Sequence, residues 1–416
     1  MEIELALGKT KQRTVIPDKN LAAILKPNPV EVKGTPEELV RQALANPIGT
    51  PRLSEIVKPG EKIVIVTSDI TRPMPSKIVL PFVLEELGRA GIPDSDIEIV
   101  FGLGIHRGHN EEEKRKLVGD AVYERVRCTD SDPDRVVSYG RTSGNGTPVD
   151  VFENVARADR RICLGNIEYH YFAGYSGGGK AIMPGVATRG SIQANHSQMV
   201  RPGARTGEIE SNPVRLDIDA AAGMVGIDFI LNVVLNEKKE IVHAVAGDYI
   251  QAHRAGARFL DSLYKIAIDQ PADIVLVSAG GFPKDINLYQ AQKALDNAKT
   301  AVRDGGIVIL VASCKEGLGE DVFERWMTGA ETSGQMITDI QSNFELGGHK
   351  AAAIAMVLER ARVMLVSDLD PEFVKTIFFE PYADVDSALA AALSTLGEES
   401  SILVMPYGGS TLPFSK

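Results

Sequence analysis

Cysteine is scarce in this chain of 416 residues: Cys128, Cys163 and Cys314 are its only three, far apart and without a CxxC pair. That pattern excludes a disulfide framework and a thiolate zinc site, and it suits a reducing compartment. Basic charge is short as well. Forty-five Lys and Arg against 56 Asp and Glu leave a net charge of −11, whereas nucleic-acid binders show a basic footprint. Long apolar runs are missing too. Stretches such as GIVILVA at 306–312 are strand-sized, well below the ~20 residues of a membrane helix. The first residues, MEIELALGKT, carry acidic groups and no apolar core, unlike a signal peptide. The expectation is a cytoplasmic protein with no nucleic-acid partner and no membrane partner.

Short β-branched runs alternate with helical segments through most of the chain. Expected strands are 62–68, 97–103, 161–167, 229–235, 273–279, 306–312, 362–367 and 401–406. Helices are expected at 75–91, 249–264, 286–303, 347–361 and 384–396. Asn212-Pro213 reads as an N-cap with proline at the first helical position, and Gly305-Gly306 as the stop of the preceding helix. LNVVLNEKKEIVHAVAG at 231–247 reads as a hairpin. The fold class is α/β: two domains with mostly parallel sheets and an active-site cleft between them. The expected domains are 1–268 and 269–400, with the tail 401–416 packing back on the first.

Open parallel sheets bind ligands beyond the carboxyl ends of their strands. Four segments there are chemically loaded: SDITRP at 68–73, GIHRGH at 104–109, EYHYFAGYSGGGK at 168–180 and GGFPKDINLYQAQK at 280–293. Within the third, Gly174, Gly179 and Lys180 have the spacing of a phosphate-binding loop. Ala181 stands where a magnesium-binding hydroxyl belongs, and Pro184-Gly185 follows too soon for a long helix. A nucleoside triphosphatase therefore lacks its parts. The glycines can still approach an anion closely through their amides, although a plain surface turn fits as well.

Seven histidines are present, at 106, 109, 170, 196, 243, 253 and 349. His106, His170 and His196 lie in or beside the glycine-rich loops. His243 and His253 read as structural or surface groups, His109 as a capping residue and His349 as either. Two histidines can serve as proton carriers on opposite faces of a substrate, and a third can bind a transition metal. Lysine can bond covalently to a cofactor, and arginine holds carboxylate or phosphate.

SDITRP, GIHRGHNEEE, EYHYFAGYSGGGKAIMPGVA, NHSQM and LYQAQKAL, in this order, together resemble the nickel-dependent lactate racemase family of 2-hydroxyacid racemases and epimerases. The resemblance runs from about residue 66 to 293 and is looser beyond. It implies a nickel-pincer nucleotide, a pyridinium mononucleotide with two sulfur-bearing arms, bound covalently through Lys180. It further implies His196 as the protein's nickel ligand, and His106 and His170 as the catalytic pair. Asp69, Ile70, Thr71 and Arg72 would contact the cofactor, with Ser176, Gly177 and Gly178 near its phosphate. Tyr289, Gln290 and Lys293, together with Arg72, would bind the substrate. Gln290 and Lys293, three residues apart, share one helical face. Trp326 reads as part of a buried helix face.

The activity so implied is inversion at C2 of a small 2-hydroxy acid, by reversible hydride transfer through a 2-keto acid, with one histidine for each face. Cofactor biosynthesis proteins would be transient partners. Two other readings use the same residues: a non-catalytic carrier of the nucleotide, and a metal-dependent 2-hydroxyacid dehydrogenase or lyase.

Overall fold

The computed structural model describes residues 1–415 apart from 30, 133 and 237. The chain divides into two compact units, Val30–Asp261 and a second one assembled from Met1–Pro29 and Ser262–Lys416.

In the first unit a six-stranded sheet has the spatial order Ile241–Gly247, Phe229–Leu235, Arg160–Ile167, Ile63–Ser68, Ile97–Gly102, Arg127–Asp130. The neighbouring pairs are parallel except at the Ile241–Gly247 edge, where the expected hairpin supplies an antiparallel strand. Ile63, Val64, Ile65 and Val66 are all buried, which is why the central strand reads as an unbroken apolar run rather than an alternating one. The helix Ser76–Arg89 turns Val79, Leu80, Val83, Leu84 and Leu87 into the core on that sheet. From the central strand the chain steps outward to one side, through Ile97–Gly102 and Arg127–Asp130. It then returns to place Arg160–Ile167 on the other side. The order reverses between Ile63–Ser68 and Arg160–Ile167, and such a switch point opens a crevice at the strands' carboxyl ends.

The second unit holds another six-stranded sheet, all parallel, in the order Glu380–Tyr382, Ala361–Val366, Val302–Val311, Ala272–Ser278, Ile402–Met405, Leu21–Ile24. Cores lie on both of its faces. Trp326 is half-buried against one of them beside fully buried Phe323 and Met327, and its indole donates to Glu345.

Three expectations need correction. Residues 1–29 belong with the C-terminal unit: Leu21–Ile24 extends its sheet, and the Gly8 amide donates to Asp285 at 2.6 Å. The tail also stays with that unit, since Ile402–Met405 is a sheet strand and Leu412–Ser415 pairs with Lys265–Ile268. Gly305-Gly306 does not stop a helix. The helix Leu288–Ala298 ends earlier, and the strand Val302–Val311 runs through both glycines. Gly305 takes φ +73° there, and a Cβ at Gly306 would lie 2.7 Å from the Asp273 carbonyl, so the pair marks a strand irregularity.

Candidate functional site

Three of the loaded loops leave three adjacent strands of the first unit, those ending at Ser68, Gly102 and Ile167. Asp69 is nearly inaccessible at 3% exposure. Its carboxylate accepts from the Thr71 amide at 3.0 Å, from the Thr71 hydroxyl at 2.6 Å and from His106 Nδ1. Burial pushes this carboxyl up, but the bonds from His106 and Thr71 and the Arg72 charge outweigh it, and the net shift is downward. A proton on His106 Nδ1, donated to Asp69, leaves Nε2 with the lone pair.

His109 is not a cap. Asn110 caps the helix Glu111–Val118, while the His109 side chain, 1% exposed, bridges Asp130 at 2.7 Å and the Ile70 amide at 3.1 Å. Lys114 closes on the same Asp130 at 3.1 Å. His109 thus ties the end of the edge strand to the Asp69–Arg72 turn.

The segment after Ile167 folds back on itself, Tyr169–His170 pairing with Gly174–Tyr175. Phe172 becomes a hub. The His170 ring lies 4.5 Å and the His196 ring 4.9 Å from it, and Lys180 Nζ stands 5.8 Å above its face. Lys180 sits in a single 3-10 turn, Gly178–Ala181, with no helix behind it, as Pro184-Gly185 predicts. Gly177 and Gly178 adopt φ of +77° and +60°. A Cβ on the first would lie 2.7 Å from Asn232 Oδ1, and on the second 2.8 Å from the His253 ring, so only glycine fits this cradle.

The electrostatics of the loop are one-sided. Burial and then the positive charges of Arg215 and Arg72 push Lys180 well below the usual lysine range, Glu168 opposing weakly. Burial likewise holds His170 well below the ordinary histidine value, helped by Lys180, Arg72, His196 and Arg215. The Ala173 amide donates to His170 Nδ1 at 3.3 Å, which puts the proton of the neutral ring on Nε2.

His196 ends the helix Arg189–His196 and is buried. Its Nδ1 bonds Asn195 Oδ1 at 2.9 Å, Asn195 donates to Asp217 at 2.8 Å, and Asp217 also takes the hydroxyls of Thr142 and Thr147 at 2.5 and 2.7 Å. A chain of this kind holds the ring with Nε2 free of it, the arrangement that would suit a metal-binding imidazole. Among the described residues no group of three or more His, Cys, Asp and Glu is spaced to hold a metal ion. A metal at His196 would therefore bring most of its own ligands. The glycine cradle, the amine favoured in its neutral form and the single oriented imidazole fit a nucleotide-borne metal.

In the second unit Gln290 and Lys293 lie on the exposed face of the helix Leu288–Ala298, opposite buried Leu288, Ala291 and Leu295. Lys350 Nζ stands 3.8 Å over the Tyr289 ring and donates to the Tyr289 carbonyl at 2.5 Å. The remaining histidines are structural. His253 Nε2 bonds the Ser176 carbonyl at 2.8 Å, His243 stacks on Phe259 at 4.0 Å, and His349 accepts from the Gly347 amide at 2.9 Å. Phe172, His109 and Asn195 lie within the quoted blocks without a signal for these roles, and Asp217 lies outside all of them.

The family model for the lactate racemase N-terminal domain matches residues 7–207, and that for the lactate racemase C-terminal domain matches 268–412. A lactate racemase of Thermoanaerobacterium thermosaccharolyticum is 35% identical over 99% of this chain and 98% of its own length. One of Lactiplantibacillus plantarum is 33% identical over 98% of each. The solved apoprotein of the Thermoanaerobacterium enzyme superposes with a TM-score of 0.90 over all of both chains, at 35% identity. A Thermotoga maritima protein, at 19% identity and a TM-score of 0.61 over 93% of this chain, shares the fold alone. With both domain models matched in order and relatives of a third identity spanning it from end to end, this chain belongs to the lactate racemase family.

Proposed function

We propose that this protein inverts C2 of a small 2-hydroxy acid, lactate being the first candidate from its relatives' names, with a nickel-pincer nucleotide attached to Lys180. The observation that supports the reading is the gathering of His170, His196 and Lys180 around Phe172, with the Arg72 charge acting on both His170 and Lys180. Lys180, favoured as a free amine, is a competent nucleophile for the attachment. The glycine cradle at Gly177–Gly178, with Ser176, suits the nucleotide's phosphate. His196 offers Nε2 to the nickel, and the Asp69–Arg72 turn contacts the nucleotide. When bound, the cofactor supplies a reversible acceptor for the C2 hydride.

The protein's own groups handle the proton and the carboxylate. His106, held by Asp69, takes the hydroxyl proton at Nε2. His170 enters the step protonated and gives a proton to the keto oxygen once the planar 2-keto acid offers its other face; solvent then takes the proton held by His106 and restores the one on His170. In the second unit Gln290 and Lys293 suit a substrate carboxylate, with Tyr289 beside Gln290; in the first, Arg72 suits a bidentate grip on an anion. Reversal exchanges the two histidines' roles, which is why inversion needs both.

The test loads the protein with cofactor and supplies single enantiomers of lactate and longer, aromatic and dicarboxylic 2-hydroxy acids. Intact mass reads the adduct, and chiral chromatography reads the product. The expected result is an adduct lost in Lys180→Ala and a racemic or epimeric product from at least one acid. Racemisation persisting in Lys180→Ala would overturn the reading. An adduct without turnover on any acid would make the chain a carrier.

A further inference from the structure

Arg215 is the largest fully buried side chain, at 0% exposure, on the helix Pro213–Val225. Nothing in the proposed chemistry uses it. A buried guanidinium carries a desolvation penalty of several kcal/mol, and replacing a buried ion pair by apolar groups is often neutral or stabilising. Packing alone is therefore a poor reason for arginine here. Its carboxylate partner is also weak. Asp219 Oδ1 lies 3.5 Å away, and the other oxygen of Asp219 is taken by Arg254 at 2.7 Å.

What the guanidinium does contact is the backbone of one loop. Nε donates to the Ala173 carbonyl at 3.4 Å, one terminal nitrogen to the Gly177 carbonyl at 3.4 Å, and the other to the Tyr175 carbonyl. Those three carbonyls precede Lys180 on the turn that carries it, and the planar fork with its five N–H donors gathers all three at once from separate nitrogens. Neighbouring carbonyls go to other side chains: Phe172 to Asn212 at 2.8 Å and Ser176 to His253 at 2.8 Å.

We propose that Arg215 is the positioning residue of the cofactor-attachment loop, its fork gathering the carbonyls of Ala173, Tyr175 and Gly177 so that Lys180 is held in its enclosed place. This rests on the reading of Lys180 as the attachment point. It adds a residue that touches neither cofactor nor substrate and sets the reactivity of the one that does. The charged groups facing Lys180 are Arg215, Arg72 and Glu168.

The experiment uses the apoprotein, so that it stands apart from turnover. Trace acetylation with acetic anhydride across pH, read by peptide mass spectrometry, gives the titration midpoint of Lys180 against exposed Lys58 in the same tube. In the wild type Lys180 titrates well below the ordinary lysine range. Arg215→Met, which leaves Asp219 paired with Arg254, moves the Lys180 midpoint up by about one pH unit or more, a tenfold fall in free amine at fixed pH. Arg215→Lys keeps a charge but not the fork, and it also moves the midpoint up. If Arg215→Met does not fold, Arg215→Lys decides alone. A wild-type midpoint in either folded variant would overturn the proposal. Loss of cofactor chemistry at Lys180 itself is read separately, by the adduct mass.

Discussion

Asp69→Asn keeps the shape of the turn and removes the charge that holds His106. The wild-type carboxylate accepts three bonds, from His106 Nδ1, the Thr71 amide and the Thr71 hydroxyl. A hydrogen bond to a charged group contributes about 1.5–3 kcal/mol. If that support acts while His106 carries the substrate proton, kcat falls about 10- to 150-fold at 1.36 kcal/mol per decade. The amide adds a second injury. Its NH2 can donate to Nδ1, which moves the ring proton to Nε2 and removes the lone pair that accepts the hydroxyl proton. Steady-state racemisation by the cofactor-loaded variant measures kcat, with adduct mass as the loading control. Stability gives an independent reading. Because the folded pKa of Asp69 is depressed below an unfolded value of about 3.9, the ionised group stabilises the fold above about pH 4. That contribution is lost as pH falls through the folded value. The gap in unfolding free energy between wild type and Asp69→Asn should therefore be full near pH 7 and close in acid. A kcat within threefold of wild type, or a gap that widens on acidification, would refute the assignment of Asp69 to His106.

Lys293→Ala removes a proposed carboxylate partner, and KM for the hydroxy acid should rise about tenfold or more with a smaller change in kcat, as steady-state kinetics will read. Asn212→Ala loses the cap on the Val214 and Arg215 amides at 3.0 and 3.1 Å and the bond to the Phe172 carbonyl at 2.8 Å. At about 1 kcal/mol each, urea unfolding should show a loss of about 2 kcal/mol. Gly178→Ala forces a side chain into φ +60° and against the His253 ring. The left-handed strain alone is about 1–2 kcal/mol, and intact mass should show the adduct lost while the far-UV spectrum is kept.

How much of this was legible beforehand follows from what each residue depends on. The parallel strands announce themselves because Ile63–Ser68 and Ala272–Ser278 are buried on both faces and need no alternation. The placement of His106 and His170 on loops beyond the carboxyl ends of strands follows from element order alone. Pro184-Gly185 correctly denies Lys180 a helix. Arg215, by contrast, sits on a helix that buries Asp217 and Asp219 and exposes Leu216, and its partners lie about forty residues earlier in the chain. No local pattern distinguishes it from a surface arginine. His109 misleads for a related reason: it stands beside a real N-cap, Asn110, yet its partners are a distant Asp130 and a loop amide. Sequence order groups residues 1–29 with the segment that follows them, whereas parallel pairing of Leu21–Ile24 with Ile402–Met405 is a contact between distant parts of the chain.

The central claim is that C2 is inverted by a hydride that leaves and returns without meeting solvent. The most direct measurement follows a single enantiomer of 2-deuterated lactate, turned over by the cofactor-loaded protein in ordinary water to racemic product, with C2 read by mass spectrometry. Retention of deuterium in both enantiomers is the predicted result. Replacement by solvent hydrogen at the rate of inversion would mean proton abstraction from carbon, and would contradict it.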